Sequence, residues 1–211
     1  AEPTATPTAE PTATPTTEPT AAPTATPTIE PTVVPVVTEV TVSKGVYSLS
    51  GSKATLVKTS KSNITKLTIP DTVKANGKTY KVTAISANAC KGLTKLVTIS
   101  IGKNVKTIGE NAFYGCTKLK TVSGGAALTE IGASAFQKCT SLTAFTIGSK
   151  VKSIGKNAFN GCSKLKTITI KSTKLTASNV GANAFKNVYK KAKFLLPKKM
   201  VDTYKKILLK R

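Results

Sequence analysis

Few residues in this 211-residue chain could carry out chemistry. Histidine is absent, which excludes a Ser-His-Asp triad, a Cys-His dyad and a His-ligated metal site. Residues 40–211 contain only four acids, which are Asp71, Glu110, Glu130 and Asp202. A glycosidase-type pair needs two carboxylates roughly 5–10 Å apart, but Glu110 and Glu130 occupy different positions of a 23-residue sequence repeat and would not be neighbours. The sequence therefore predicts a protein that is not an enzyme and holds no cofactor.

The four cysteines, of which Cys90 is the first, offer three alternatives: a metal site, disulfides or buried free thiols. Cys116, Cys139 and Cys162 recur every 23 residues, and Leu93 stands at the same position one interval earlier. Side chains that repeat along a ladder diverge along its axis, whereas a metal needs convergent ligands. Neighbouring strands lie about 4.8 Å apart, so adjacent cysteines could touch, but buried free cysteine commonly behaves as a small hydrophobe. We therefore predict buried free thiols and no metal site.

Basic residues dominate the charge of the chain. Lys and Arg number 32 against 9 Asp and Glu, which gives a net charge of +23. Residues 1–39 contain five Glu and no base, so residues 40–211 carry 32 bases against four acids, a net charge of +28. A field of this size attracts polyanions within a Debye length of about 8–10 Å. Arg211 is the only arginine, which disfavours bidentate recognition of nucleic-acid bases.

The predicted polyanion partners are therefore anionic glycans or cell-wall polymers rather than nucleic acid. The alternative is a lysine surface that serves only solubility. Lysines that share a repeat position form two columns of predicted polyanion contacts: Lys95, Lys118 and Lys164 in the first, and Lys106 and Lys152 in the second.

These side chains are positioned by an internal repeat. Ala-Phe pairs recur at a spacing of 23 residues and finally of 26: Ala112-Phe113, Ala135-Phe136, Ala158-Phe159 and Ala184-Phe185. Apolar columns keep the same register: Leu96, Leu119, Leu142 and Leu165; Ile99, Val122, Phe145 and Ile168; Ile85, Ile108, Ile131 and Ile154. One coil cannot bury its apolar side alone, and stacked coils supply the partner. The sequence therefore predicts an α+β solenoid, in which each coil of about 23 residues contributes one strand and a short helical turn.

Within one coil, the segment Leu96–Ile101 alternates apolar and polar residues, which predicts a half-buried strand. Gly109 is predicted to be left-handed, Asn111 to cap the helical turn and Gly115 to form its left-handed exit, as are their equivalents in other coils. The outward strand positions form the predicted binding face: Thr98, Ser100, Thr121, Ser123, Thr146, Thr167 and Thr169. The alternative is that small hydroxyl residues merely suit exposed strands. The candidate exposed rings are Tyr47, Tyr80, Tyr114 and Tyr189.

Both ends of the solenoid need covers, because an open end exposes core and unpaired strand edges. At the front, Gly45–Leu49 and Thr55–Lys58 are predicted to form a hairpin. At the back, residues 199–209 are predicted to form an amphipathic helix with Tyr204 on its apolar side. A basic helix that lies on a membrane surface is the alternative for this segment. No run of about 18 apolar residues exists, so no membrane span is predicted.

Residues 1–39 are predicted to be a disordered linker rich in Pro and Thr. Proline occurs at every fourth position from Pro3 to Pro35, which disfavours helix and sheet and favours extended polyproline II. At about 3.1 Å per residue, residues 1–35 reach up to roughly 100 Å. It resembles spacers of secreted, multi-modular bacterial surface proteins and polysaccharide-degrading enzymes, and a plain disordered tail is the alternative. No signal peptide is visible, so we expect a fragment or a mature piece without its upstream module.

The repeat unit Leu-x-x-Ile-x-Ile-Gly-x-x-Val-x-x-Ile-Gly-x-x-Ala-Phe-x-x-Cys-x-x resembles the BspA-type leucine-rich repeat over about residues 64–199. The hairpin signal Asn76-Gly77 and the segment Phe194–Lys199 look like parts of that family's first and last repeats. The resemblance implies an extracellular or cell-surface bacterial protein that binds a protein or glycan partner, as in adhesion, and does no chemistry. We expect a monomeric module within a larger multi-modular protein.

Four domains are predicted: the linker at 1–39, an N-terminal β cap at 40–63, the solenoid at 64–192 and a C-terminal cap of strand and helix at 193–211. Two alternatives to a binding module remain open. One is a cationic module that anchors an upstream enzyme to the cell wall, and the other is a spacer repeat without a ligand.

Overall fold

The computed structural model describes residues 38–208. The predicted linker lies outside the described residues apart from its last two positions, and residues 209–211 lie outside them too. The front of the described chain is a three-stranded antiparallel cap of β1 (Thr38–Val42), β2 (Gly45–Ser50) and β3 (Lys53–Thr59). The pairing of β2 with β3 confirms the predicted hairpin, and β1 adds a strand that begins within the segment predicted to be linker. Ser43 and Lys44, both left-handed (φ 49° and 70°), join β1 to β2 in the geometry that suits a two-residue hairpin turn.

Each coil of the solenoid has three sides. The first side carries one strand per coil, and these strands are β4 (Lys66–Ile69), β7 (Thr98–Ile101), β9 (Thr121–Gly124), β11 (Ala144–Ile147), β13 (Thr167–Ile170) and β14 (Lys193–Leu195). The second side carries β5 (Thr72–Ala75), β6 (Lys78–Ile85), β8 (Thr107–Ile108), β10 (Glu130–Ile131) and β12 (Ser153–Ile154). The second side continues the cap, because β3 pairs with β6 in parallel. The predicted hairpin at Asn76-Gly77 is confirmed as the antiparallel pair β5–β6.

The third side of each coil consists of hydrogen-bonded turns around the Ala-Phe pair. The Ala112 N–H donates to the Gly109 carbonyl within the coil at 3.3 Å. The next N–H, that of Phe113, donates instead to the Ala135 carbonyl of the following coil at 2.8 Å. Because alternate N–H groups bond within and between coils, these turns stack without becoming a regular helix, which refines the predicted helical turn.

Two predictions about the turn backbone are wrong. The φ of Gly109 lies outside the left-handed region, and glycine is required there by close approach, since a Cβ would lie 2.5 Å from the Ala87 nitrogen. Asn111, predicted as a helix cap, is itself left-handed with φ 52°, a conformation that asparagine tolerates better than most residues. The left-handed exit is confirmed at Gly115 (φ 71°), and Lys138 keeps it at the equivalent position with φ 61°.

The apolar columns form one continuous core. Phe113, Phe136 and Phe159 are each 0% exposed, and their rings stack nearly parallel with centroids 5.2 and 5.3 Å apart. The Phe145 ring enters from the strand side and tilts against those of Phe136 and Phe159 at 5.0 and 4.8 Å. Each coil thus supplies the apolar partner that its neighbour needs, which confirms the predicted solenoid.

The back end is covered by a 3₁₀ helix (Lys198–Met200) and α1 (Val201–Leu208), which confirms the predicted C-terminal helix. Tyr204 is 1% exposed. Its hydroxyl donates to the Ser172 carbonyl at 2.8 Å and accepts the Leu175 N–H at 3.4 Å, so one side chain ties α1 to the last coil. Between residues 38 and 208, no helix has the length and apolar character needed to cross a membrane.

The strand side is not one sheet. β4, β7 and β9 form one parallel sheet, and β11, β13 and β14 form another. The Lys120 N–H donates to the Val97 carbonyl at 2.9 Å and the Lys166 N–H to the Thr143 carbonyl at 2.8 Å. The corresponding bond from Thr143 to Lys120 is missing among the described residues. The ladder is therefore interrupted between β9 and β11, whereas β8, β10 and β12 remain paired through the same coils.

Candidate functional site

The predicted binding face lies on the outward side of the strands, where inward apolar and outward hydroxyl residues alternate as predicted. The parallel register places Thr98 beside Thr121 and Ser100 beside Ser123 on the first sheet. On the second sheet it places Thr146 beside Thr169. The predicted residues nearest to the interruption are exposed, namely Thr121, Ser123 and Thr146, and the others are half-buried, namely Thr98, Ser100, Thr167 and Thr169. The face is therefore most accessible where the ladder is broken.

A row of exposed lysines borders this face. Lys95, Lys118 and Lys164, the first predicted column, each stand three residues before an outward strand residue. Lys120 and Lys166 stand two residues after Lys118 and Lys164, and Lys66 and Lys193 lie in β4 and β14 in register with Thr98 and Thr167. We call the whole set the lysine ledge: Lys66, Lys95, Lys118, Lys120, Lys164, Lys166, Lys190 and Lys193. Five steps of about 4.8 Å between the six strand-side rungs give the ledge a length of roughly 24 Å. Within residues 38–208, no ledge lysine forms an ion pair.

Positive charge is uneven along the ledge. The rungs of β9 and β13 carry two lysines each, which are Lys118 and Lys120, and Lys164 and Lys166. The rung of β11 between them is neutral, with Ser141, Thr143 and Ala144 at the corresponding positions. Two doubly charged rungs thus flank the neutral rung at which the ladder is interrupted.

The second predicted lysine column is not part of this surface. Lys106 and Lys152 are exposed, but they directly precede β8 and β12 on the second side of the coils. The structure therefore separates the two predicted columns.

The acidic side chains of the described residues either lie on other parts of the protein than the ledge or, in the case of Asp71, pair with a lysine. Asp71, which follows β4, accepts the Lys103 N–H at 2.7 Å and pairs with the Lys103 ammonium at 3.2 Å. The backbone hydrogen bond and then the Lys103 side chain lower the pKa of the Asp71 carboxyl. The other described acids lie on β1, on the second and third sides of the coils, and on α1: Glu39, Glu130, Glu110 and Asp202. The strand side of the described chain therefore presents net positive charge.

The interruption between β9 and β11 opens a slot toward solvent. It comprises two adjoining cavities of about 270 and 280 Å³, which share Val122, Phe145 and Thr146. Val122 is half-buried and Phe145 is 5% exposed, so they form an apolar floor. Thr121 and Lys120 lie at the rim. We call this feature, lined by residues 120–124 and 143–146 with Ile101 and Leu128, the β9–β11 slot.

The tyrosines do not form a common surface. The prediction that Tyr47 is exposed is wrong: it is 0% exposed, and burial raises the pKa of its hydroxyl. Tyr80 and Tyr114 are half-buried, and the ring of Tyr114 has lysine ammonium groups on it at 5.7 and 5.6 Å. Tyr189 is 36% exposed, and the Lys166 Nζ lies 5.8 Å from its ring centroid. Of these rings, Tyr189 is the one in contact with the ledge.

The cysteines are buried free thiols, as predicted. The Cys116 Sγ donates to the Cys90 carbonyl at 3.2 Å, and Cys139 and Cys162 make the same bond to the coil before them. Burial raises the pKa of Cys116 and Cys162 to about 12 and also raises the pKa of Cys90 and Cys139. Protonated thiols are poor nucleophiles and poor metal ligands. In the described part of the chain, no group of three His, Cys, Asp or Glu side chains could hold a metal ion.

Part of this surface was not predicted from the sequence. Lys120 and Lys166 belong to the ledge, and each directly follows a core leucine, Leu119 and Leu165. That shared repeat position was a signal that could have identified them. The slot has a weaker signal, since Gly124 replaces the strand isoleucine found one coil earlier.

Parallel strands at one per 23-residue coil, apolar columns and capped ends define a leucine-rich repeat solenoid. The BspA type leucine rich repeat region matches residues 83–208 in six copies. The chain therefore belongs to the BspA-type leucine-rich repeat family. Leucine-rich repeats of this kind are generally non-catalytic binding modules.

Solved structures of bacterial leucine-rich repeat proteins share this fold. A leucine-rich repeat protein from Bacteroides capillosus is 27% identical, with 63% of this chain and 97% of that chain covered and a TM-score of 0.57. The Treponema pallidum leucine-rich repeat protein is 21% identical, with coverages of 81% and 96% and a TM-score of 0.59. A leucine-rich cell surface protein from Faecalibacterium prausnitzii is 23% identical, with coverages of 75% and 54% and a TM-score of 0.52. Among curated proteins, no match was found.

Proposed function

We propose that this chain is a non-enzymatic extracellular binding module of a secreted or cell-surface bacterial protein. Its strand face and lysine ledge hold a linear anionic polymer, either an anionic glycan or a cell-wall polymer. The observation that carries the proposal is the ledge itself, in which eight exposed lysines without ion pairs follow one edge of the strand face.

The geometry of the ledge favours an extended partner. Charges spread over roughly 24 Å exceed a Debye length of about 8–10 Å, so a compact anion would meet only part of them. A polymer that runs along the solenoid axis would meet a lysine on five of the six rungs. Lysine is a flexible point charge rather than a planar fork, so it suits repeated anions whose positions vary from one unit to the next.

The proposed location rests on the character of similar proteins and of the linker. The similar protein from Faecalibacterium prausnitzii is described as a cell surface protein. The Pro- and Thr-rich composition of residues 1–39 is typical of a spacer between modules. We therefore place the chain as a monomeric module within a larger multi-modular protein.

The test is the salt dependence of binding to polygalacturonate and polyphosphate. The double variant Lys118→Gln/Lys164→Gln removes two ledge charges, and Lys106→Gln/Lys152→Gln removes two charges from the second side as a matched control. Each lost contact lowers the slope of log K against log salt by about 0.7, so the ledge variant should lower it by about 1.4. Equal effects of the two variants, or no binding of either polymer at low salt, would contradict the proposal.

A protein ligand at the strand face is the second candidate. It is favoured by the exposure of Thr121, Ser123 and Thr146, which present hydroxyl groups without adjacent acids. Thr121→Lys or Thr167→Lys distinguishes a polyanion ligand from a protein ligand, because the two should change in affinity in opposite directions. An added lysine should strengthen binding of a polyanion and weaken binding of a protein that packs on the face.

The same measurements address the remaining alternatives. A module that anchors an upstream enzyme to the cell wall would bind isolated wall material with an affinity that rises steeply as the salt concentration falls. Polymer binding and wall anchoring would then use the same lysine ledge. A spacer without a ligand would retain nothing from wall or host-surface extracts at any salt concentration.

A further inference from the structure

Two consecutive glycines in left-handed conformation, Gly124 and Gly125, lie at the end of β9 beside the β9–β11 slot. Gly124 has φ 86°, and a Cβ there would clash with the Ile101 carbonyl oxygen. Gly125 has φ 70°. The equivalent residues of the preceding coil are Ile101 and Gly102, and neither has positive φ. The backbone at the end of β9 therefore follows a path that the end of β7 does not take.

The slot is a wedge and not a full separation of coils. On the second side, Glu130 and Ile131 of β10 stay in register with Ser153 and Ile154 of β12. On the third side, the Phe136 N–H still donates to the next coil at 2.8 Å. These two bonded sides hold the coils at one ordinary spacing, so the opening is limited to the strand side.

This shape favours one class of occupant. A peptide strand inserted between β9 and β11 would need two strand spacings, about 9.6 Å, whereas the second and third sides keep the same two coils bonded at one spacing. Each of the two adjoining cavities, at about 270 and 280 Å³, is by itself just below the ~300–1,000 Å³ of pockets for drug-sized ligands. One small ring therefore fits within either of them.

The chemistry of the walls narrows the class further. The floor formed by Val122 and Phe145 suits the C–H face of a ring, and the hydroxyl groups of Thr121 and Thr146 suit ring hydroxyls. The Lys120 ammonium at the rim suits a carboxylate.

We propose that the β9–β11 slot binds one carboxylate-bearing sugar ring, a uronic acid residue, of an anionic polysaccharide. This inference rests on the proposed function, since the lysine ledge would hold the rest of the same polymer. It places a ring-binding subsite at the neutral rung, where Ser141 and Thr143 replace the ledge lysines. The ledge would then supply affinity for any polyanion, and the slot would supply preference for a sugar acid.

Three polymers of the same charge sign separate the contributions: polygalacturonate has rings, polyphosphate has none, and polyglutamate is a peptide. Thr146→Phe fills the slot without changing charge. Thr79→Phe places the same ring at an exposed position of β6, on the second side of the coils and away from the ledge. We expect Thr146→Phe to weaken polygalacturonate binding about tenfold and to change the binding of the other two polymers by less than twofold, with Thr79→Phe changing none of them.

Monomeric galacturonate gives a readout that does not depend on the ledge or on any variant. In the wild-type protein it should shift the methyl resonances of Val122 and Ala144 and leave those of Val46 in the cap unchanged. If polygalacturonate and polyphosphate both bind but Thr146→Phe leaves the ratio of their affinities unchanged, the slot inference is overturned and the proposed function stands. If Thr146→Phe weakens polyglutamate as much as polygalacturonate, the occupant is not a sugar acid. If neither polygalacturonate nor polyphosphate binds while galacturonate shifts the slot methyl resonances, the proposed function fails and the slot inference stands.

Discussion

Two glycines, Gly132 and Gly148, allow a test of whether the close approach of neighbouring coils determines where glycine is required. Neither Gly132 nor Gly148 has a left-handed φ, so alanine meets no backbone strain at either. At Gly132, a Cβ would lie 2.7 Å from the Gly109 carbonyl carbon and 2.8 Å from the Ile108 carbonyl oxygen. At Gly148, nothing lies within 4 Å of a Cβ.

The cost of Gly132→Ala follows from these distances. Carbon atoms approach comfortably to about 3.5 Å, so the preceding coil must retreat by about 0.8 Å. The bond from the Gly132 N–H to the Ile108 carbonyl, now 2.8 Å, would lengthen to about 3.6 Å and be lost, at a cost of about 1 kcal/mol. Overpacking adds about 1–3 kcal/mol, which gives a total of about 2–4 kcal/mol. Gly148→Ala should stabilise by about 0.4–1 kcal/mol, because it only restricts the unfolded chain.

Urea unfolding of the full chain, followed by far-UV circular dichroism, measures both variants on one scale. Thermal unfolding of the same variants gives Tm. For a domain of this size, each kcal/mol of unfolding free energy corresponds to about 2–4 °C in Tm, so Gly132→Ala should lower Tm by roughly 4–16 °C and Gly148→Ala should raise it slightly. A neutral Gly132→Ala, or equal effects at the two positions, would show that close approach of the coils does not determine where glycine is required.

Four further predictions concern the core, the caps and the ionisable groups. Phe136→Ala should cost about 3–5 kcal/mol in unfolding free energy, because this fully buried ring stacks on both neighbouring coils. Tyr204→Phe should cost about 1–3 kcal/mol by leaving the buried Ser172 carbonyl without its donor, and thermal melts would detect it. Because the pKa of Asp71 is depressed in the folded state, its ionised carboxylate stabilises the fold above the pKa of an unfolded aspartate, and this stability is lost as pH falls through the folded pKa. Asp71→Asn should therefore weaken the decrease in unfolding free energy at acid pH, measured by unfolding titrations at several pH values. An unchanged decrease would contradict the role of Lys103. The buried thiols should resist iodoacetamide in native protein and react fully in guanidinium, as mass spectrometry can count.

The core could be predicted from the sequence because it depends on periodicity alone. Phe136, Cys139 and Leu142 occupy the same positions of the coil as their equivalents 23 residues away, and all three are buried. Stacking like residues on like positions leaves few alternatives for the apolar columns. The ends were predictable for a related reason, since the solenoid needs covers and only the terminal segments depart from the repeat.

The turn backbone could not be predicted in the same way. A glycine at position 109 is compatible with a positive φ and with a close neighbour, and sequence cannot distinguish them. The neighbour that decides the matter is the Ser86–Ala87 backbone of the preceding coil, which only the stacked structure brings near. Asn111 is likewise suited to capping and to the left-handed conformation, and the hydrogen bonds between coils select the latter.

The division of the strand side was beyond sequence reasoning because it results from several small differences that act together. Gly124 removes an inward isoleucine side chain, Phe145 enlarges another inward position, and the pair Gly124-Gly125 allows a backbone path that other coils do not take. None of these changes by itself violates the repeat. Together they break one of three ladders, and the other two keep the coils in register.

The pairing on the second and third sides explains how the strand ladder can be interrupted between β9 and β11 while the coils stay stacked. In a two-sided sheet, an interrupted ladder would expose unpaired backbone groups to an approaching strand and invite aggregation. Here the second and third sides fix the spacing, so the exposed edges of β9 and β11 cannot open far enough to accept one. The same arrangement leaves Val122 and Thr146 accessible to a small ring between two rungs that each carry two lysines. The stability of the coil stack and the accessibility of the slot are therefore assigned to different sides of the same coils.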